Sequence, residues 1–186
     1  MDELTSVARV AGRGDRAALA RLVQQTQGDV WRLCAHLVDP AAADDLTQDT
    51  YLRAIQSLAK FRGDAPVRVW LLAIARRVCA AEIEARSRDR RLAARLDALP
   101  GRGLAQPSPE PYSQVVADDL MSALTPDRRA AFVLTQMLGC SYAEAAAVCG
   151  CPVGTIRSRV ARAREDLDAM TTDLDRGRPL ARDAGD

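Results

Sequence analysis

Between Ser141 and Arg164 the chain carries two amphipathic helical segments hinged on a glycine, a pattern that few folds accommodate. Ser141-Tyr142-Ala143-Glu144 is a capping box, Ser first and Glu three residues later, and it predicts a short helix running to about Val148. Cys149-Gly150-Cys151-Pro152 then makes a tight turn, with glycine to stop one helix and proline to start the next. In the segment that follows, at about 100° per residue, Ile156, Val160, Ala163 and Leu167 fall on one narrow apolar stripe. Gly154, Ser158, Ala161 and Glu165 lie opposite. Thr155, Arg157 and Arg162 flank that outer face, and Arg159 and Arg164 sit nearer the edges of the stripe. A short helix, a Gly-containing turn and a longer basic helix describe a helix-turn-helix.

Such a helix has what a reader of the DNA major groove needs. Small residues such as Ser158 and Ala161 let the backbone approach the bases. Arg157 and Arg162 can reach guanine edges or phosphates. Thr155, near the helix N-terminus, can bond a phosphate with the help of the helix dipole. A solvated amphipathic helix with incidental arginines would read the same way, so the rest of the chain has to decide.

That rest is also helical. Alanine is abundant and runs of Val, Ile and Thr are missing. With only two Trp, three Tyr and two Phe, the cores must be built from Ala, Leu, Val and Ile. After a loose start over residues 1–12, Leu19, Leu22, Val23, Thr26, Val30, Cys34, Leu37 and Val38 recur at spacings of three and four, one helix face. That helix ends near Asp39-Pro40, where Asp39 can cap the next one, from about Ala41 to Lys60. Leu46, Tyr51, Ile55 and Leu58 are its expected buried side. Asp45, Gln48, Asp49, Arg53 and Gln56 lie on another. Arg62-Gly63-Asp64-Ala65-Pro66 breaks helix, and a third helix runs from about Val67 to Arg88, with residues 89–99 able to extend it. Six glycines and prolines within residues 100–112 make a linker. Stretched out, residues 88–114 could span on the order of 90 Å. Thr125-Pro126 opens a further helix that stops near Gly139.

The expected architecture is therefore all-α: two small helical domains over residues 14–90 and 114–170, a flexible linker over 91–113 and a disordered tail over 171–186. The overall net charge of +1 hides a division. Residues 61–99 hold nine basic and five acidic side chains, residues 100–124 one and three, and residues 125–165 six and three. Two basic segments separated by an acidic one suggest two nucleic-acid contacts.

Other classes find little support. No apolar run reaches the length of a membrane span, and Met1-Asp2-Glu3 does not begin a signal peptide, so a cytoplasmic protein without membrane insertion is expected. The five cysteines, Cys34, Cys79, Cys140, Cys149 and Cys151, are odd in number, and Cys149-Gly150-Cys151 lacks the usual spacing of a zinc site. They read as small buried hydrophobes, with redox sensing the sharper alternative. The sole histidine, His36, has no cysteine or carboxylate pattern around it, and no Gly-rich phosphate cradle exists. No catalytic activity, cofactor or metal is expected.

The wording of three segments goes further. Ser141 to Ala146, followed by Pro152-Val153-Gly154-Thr155-Ile156-Arg157-Ser158-Arg159-Val160-Ala161-Arg162-Ala163-Arg164, closely resembles the region 4 domain of extracytoplasmic-function (ECF) RNA polymerase sigma factors of the sigma-70 family. Ala43-Asp44-Asp45-Leu46-Thr47-Gln48-Asp49-Thr50-Tyr51-Leu52-Arg53-Ala54 resembles the polymerase-binding helix of their region 2. Phe61-Arg62-Gly63-Asp64 with Trp70-Leu71-Leu72-Ala73-Ile74-Ala75-Arg76 resembles the segment that melts and reads the downstream (−10) element. The three occur in family order over roughly residues 14–168.

The resemblance implies an alternative sigma factor that binds core polymerase and directs promoter-specific initiation of transcription. Thr155, Arg157, Ser158, Arg159, Ala161 and Arg162 would contact the upstream (−35) element. Arg62, Asp64, Trp70, Arg76 and Arg77 would serve the −10 element, although a tryptophan at helical spacing also suits a core. Asp45, Gln48, Asp49, Leu52, Arg53 and Gln56 would dock on the clamp helices of the largest catalytic subunit of the polymerase, and the C-terminal domain would meet its flap. An anti-sigma factor clamping both domains is a further partner the family suggests. The rival is a one-component helix-turn-helix regulator with a sensing N-terminal domain; a wholly helical first half with a basic segment of its own speaks against it.

Overall fold

Apolar spacing, caps and breakers place seven α-helices in a computed structural model that describes residues 2–97, 120–121 and 123–175. They are α1 (Glu3–Ala11), α2 (Arg16–Leu37), α3 (Ala43–Leu58), α4 (Val67–Asp97), α5 (Pro126–Phe132), α6 (Tyr142–Cys149) and α7 (Val153–Asp175). A π-helical turn, Val133–Met137, continues α5. No strand occurs among the described residues.

The N-terminal half is a four-helix assembly whose core holds Leu22, Val30, Leu33, Leu46, Leu58, Leu71, Leu72 and Val78. One polar pair sits inside it: the Tyr51 hydroxyl lies 2.6 Å from Thr26 Oγ1, which also bonds the Leu22 carbonyl. Burial pushes the Tyr51 phenol above its ordinary range, so it stays neutral and tethers α3 to α2. Asp39 accepts from the Ala42 N–H at 2.7 Å and pairs with Arg86 on α4. The helix it leads into starts at Ala43, later than the cap alone suggests.

The C-terminal half packs α5, α6 and α7 around Ala131, Val133, Leu134, Ala145, Val148, Ile156 and Val160. Both halves of the Ser141–Glu144 capping box form. Gly150 closes α6 at φ 64°, the left-handed angle that a side chain disfavours, and its N–H returns to the Ala146 carbonyl.

Four expectations need correction. Residues 1–12 are not a loose start: Asp2 caps α1, Thr5, Ala8 and Ala11 are buried, and Leu4 and Val7 pack against the core beside them, a helical spacing present in the sequence. Ile55 is 45% exposed rather than buried. Helix α4 continues through residues 91–97, the extension expected of residues 89–99, so the linker bound at 91 is too early; nothing before Pro100 breaks the helix. Helix α7 likewise runs to Asp175, into the segment assigned to the tail. The remainder of the expected linker and tail lies outside the described residues.

Candidate nucleic-acid interface

The helix-turn-helix presents a sharply two-sided α7. Ile156, Val160 and Ala163 are buried. Arg157, Ser158, Ala161 and Arg162 are exposed, and Thr155 is half-buried where the helix begins. Ser158 Oγ turns back onto the Thr155 carbonyl at 2.9 Å, leaving the surface around it smooth. Arg157 and Arg162 form no intramolecular bond among the described residues, so both guanidiniums are available to a ligand. Two edge contacts fix the helix on its neighbour: Arg164 donates to Gln136 at 2.6 Å, and Asp166 pairs with Arg128 at 2.6 Å.

Arg159 is committed differently. Its guanidinium pairs with Asp127 on α5 and reaches Cys151 Sγ at 3.6 Å. The other oxygen of Asp127 accepts from Arg76 of α4 at 3.0 Å. One carboxylate thus holds an arginine from each basic segment. Arg68 makes a second crossing: it donates to Asp29 at 2.5 Å, to the Leu138 carbonyl at 2.5 Å and to Cys140 Sγ at 3.5 Å. A third is Arg129, whose guanidinium bonds the Leu37 carbonyl at 3.2 Å and the Leu124 carbonyl at 3.3 Å. The two halves are packed together, and buried apolar residues form one continuous cluster through both.

Among the residues expected at the −10 element, Arg62 and Asp64 are exposed on the loop between α3 and α4, and Arg77 is exposed on α4 with its Nε on the Ala73 carbonyl. Arg76 is half-buried by its pair with Asp127. Trp70 is half-buried too, its ring centroid 5.0 Å from that of Phe61 at a tilt of 42°. That contact orders both rings beside the loop.

On α3, Tyr51, Thr50 and Leu46 face inward, which turns Asp45, Gln48, Leu52, Arg53 and Gln56 outward, with Asp49 half-buried beside them. Asp49 and Arg53 pair along the helix at 2.9 Å. Leu52 is 54% exposed and lies next to the unexpectedly exposed Ile55. An apolar centre with a charged rim is the composition of a docking surface. Spacing from Tyr51 and Leu58 groups Ile55 with the core, but at about 100° per residue it lies opposite Leu46 and outside the buried face.

The cysteines are all free: Cys34, Cys79 and Cys140 are buried, Cys149 and Cys151 half-buried. No cluster of metal-binding side chains occurs among the described residues. Nor is any described helix long and apolar enough to cross a membrane.

Comparison with known proteins agrees with this geometry. The family model "Sigma-70 region 2" matches residues 22–89, and "Sigma-70, region 4" matches residues 114–167. The chain is 48% identical over 177 residues to the ECF RNA polymerase sigma factor SigC of Mycobacterium tuberculosis, covering 93% of this chain and 95% of that protein. It is 32% identical over 168 residues to the ECF RNA polymerase sigma-E factor of Escherichia coli, covering 84% and 87%. Among solved structures it resembles the sigma factor RpoE in complex with the anti-sigma factor NepR from Bartonella quintana, with TM-score 0.64 and 28% identity over 83% of this chain and 96% of that one. It also resembles CnrH in complex with the cytosolic domain of CnrY, with TM-score 0.68 and 28% identity over 92% and 98%.

Proposed function

The chain belongs to the ECF branch of the sigma-70 family of RNA polymerase sigma factors, which direct initiation of transcription, and from that premise we propose how its surfaces divide the work. Helices α2 to α4, with α1 packed against them, form the region 2 domain and α5 to α7 the region 4 domain. The outer face of α3 docks on the clamp helices of core polymerase. Leu52 and Ile55 supply the apolar centre, and Asp45, Gln48, Asp49, Arg53 and Gln56 the polar rim. The loop at Arg62–Asp64, with Arg76 and Arg77 behind it, serves the −10 element. The face of α7 bearing Thr155, Arg157, Ser158, Arg159, Ala161 and Arg162 serves the −35 element, and the same domain meets the flap. The protein works in the cytoplasm, where its polymerase and promoter are, and contributes no catalytic group of its own. An anti-sigma factor, of the class bound to RpoE in the neighbouring structure, is a partner for the same surfaces.

The observation that carries this reading is the free outer face of α7 above a buried Ile156–Val160–Ala163 stripe. The packed arrangement adds a second step. Elements about 25 base pairs apart lie about 85 Å apart along B-DNA at 3.4 Å per base pair. A packed chain of this length measures only about 40 Å across. The packed arrangement is therefore the free form, and promoter binding requires the two halves to separate once polymerase has been engaged. Co-elution with sigma-free core polymerase on a sizing column tests the docking part: a stable complex is expected, and its absence would favour a free-standing DNA-binding regulator.

A further inference from the structure

Helix α1 precedes the segment matched by the region 2 family model, yet it touches the end of α3, the −10 loop and the start of α4 in turn. At its C-terminal end, Gly12 packs so closely on the end of α3 that an added Cβ would sit 2.8 Å from the Leu58 carbonyl oxygen. At its N-terminal end, the Thr5 hydroxyl, 2% exposed, accepts the Val67 N–H at 2.9 Å and so caps α4. Between these, Arg9 donates to the Arg62 carbonyl at 2.7 Å. Its guanidinium also lies flat against Gly63, where a Cβ would meet Nη2 at 2.8 Å and Nε at 2.9 Å. Gly63 has φ 79°, so the backbone there already turns in a sense that other residues resist.

The loop has few bonds of its own. Lys60 and Phe61 return their N–H groups to Ser57 and Leu58 at its start, and nothing comparable holds Arg62 to Ala65. A cation placed beside Arg62 would ordinarily be repelled by it. Here the contact runs from guanidinium to backbone carbonyl, which fixes the peptide and leaves the Arg62 side chain exposed.

We propose that Arg9 is a positioning residue for promoter melting and −10 base choice: it braces the Arg62–Gly63 peptide so that the Arg62 and Asp64 side chains project in the geometry that receives a base. This rests on the reading of the loop given above. Because Arg9 is exposed and its removal empties no core, the brace acts on the loop and not on the fold.

The test uses the full chain with core polymerase on a promoter mapped by run-off transcription, and on single-base variants of its downstream element. Permanganate footprinting reads melting; promoter competition reads base preference. Arg9→Ala is expected to slow melting and to flatten preference among downstream bases by about tenfold, the scale of one charge-assisted bond. Core binding and competition by the upstream element should stay as in the wild type. Arg9→Lys, which keeps a donor for the Arg62 carbonyl, should recover most of the loss. Wild-type melting and preference in Arg9→Ala, with Arg62→Ala and Asp64→Ala defective, would overturn the brace while leaving the loop reading intact. If Arg62→Ala and Asp64→Ala are also without effect, the loop reading fails and the brace with it. An equal loss on every promoter, in step with a lower melting temperature, would make Arg9 a merely structural residue.

Discussion

Asp127 Oδ1 accepts a hydrogen bond from Arg76 Nη2 at 3.0 Å, joining the first helix of the C-terminal domain to the long helix of the N-terminal one. Its other oxygen holds Arg159. Asp127 is half exposed and each arginine about a quarter exposed, so solvent screens the pairs. The two together contribute about 1–2 kcal/mol to the packed arrangement. Asp127→Ala should therefore shift the free protein toward the open form and release both arginines from the carboxylate. Small-angle scattering should show a larger radius of gyration, and affinity of the free chain for an upstream-element duplex should rise several-fold. Unchanged values in both would show that the pairs do not hold the halves together.

Arg68 contributes to the same contact through a backbone carbonyl instead of a charge network. Arg68→Ala leaves the Leu138 carbonyl without this donor and Asp29 with Arg32 alone. The expected cost is about 1–3 kcal/mol. It should appear as faster amide exchange at Leu138–Cys140 and along the facing part of α2, with exchange in the α6–α7 core unchanged.

The recognition helix offers a separate prediction. Arg157→Ala or Arg162→Ala should weaken binding to the upstream element by about 1–3 kcal/mol where the side chain reads a base edge bidentately. The loss should concentrate on particular base pairs. A uniform loss across sequences, with a shallower salt dependence, would assign the arginine to phosphate instead.

The capping box gives a pH signature. The Ser141 N–H and hydroxyl hold the Glu144 carboxyl below its ordinary range, against a smaller opposing effect of burial. A folded value below the unfolded one means that this stabilisation is present above about 4.3, the ordinary glutamate value, and fades as pH falls through the lower folded value. Ser141→Ala should cost about 1 kcal/mol at neutral pH. Glu144→Gln should remove part of the acid sensitivity of the C-terminal domain, followed by its melting between neutral pH and pH about 3.

On α3, Asp49→Arg places a cation beside Arg53 and reverses the charge of the docking rim. Binding to core polymerase should fall by about tenfold or more. The upstream-element affinity of the protein should stay within twofold of wild type, roughly the scatter expected for distant sites. Equal loss in both assays would indicate unfolding.

What local rules govern was legible in the chain. The capping box at Ser141, the left-handed turn at Gly150 and the stripe Ile156–Val160–Ala163 are short-range features, and they form as their spacing dictates. The inward positions Leu46, Tyr51 and Leu58 of α3 follow the same logic, whereas Ile55, though three and four residues from Leu58 and Tyr51, lies about 180° around the helix from Leu46 and is exposed. Periodicity carried through the whole helix places Ile55 outside the buried face. Helix α1 carried the same kind of signal, an Asp2 cap and helical spacing through Leu4, Val7, Ala8 and Ala11, weakened only by its nine-residue length. The crossings made by Arg68, Arg76 and Arg129 were illegible: their partners lie 70, 51 and 92 residues away, and nothing in local spacing encodes a pairing at that separation. The π-helical turn at Val133–Met137 had no recognised local signal either.

The most direct measurement is run-off transcription with sigma-free core polymerase, the purified protein and fragmented genomic DNA from its source. Discrete transcripts that depend on the protein, and that disappear when Asp49→Arg replaces it, are expected, with start sites that share an upstream and a downstream element. No protein-dependent transcript, together with no complex between protein and core, would contradict the assignment of the α3 face to polymerase and of the α7 face to promoter selection.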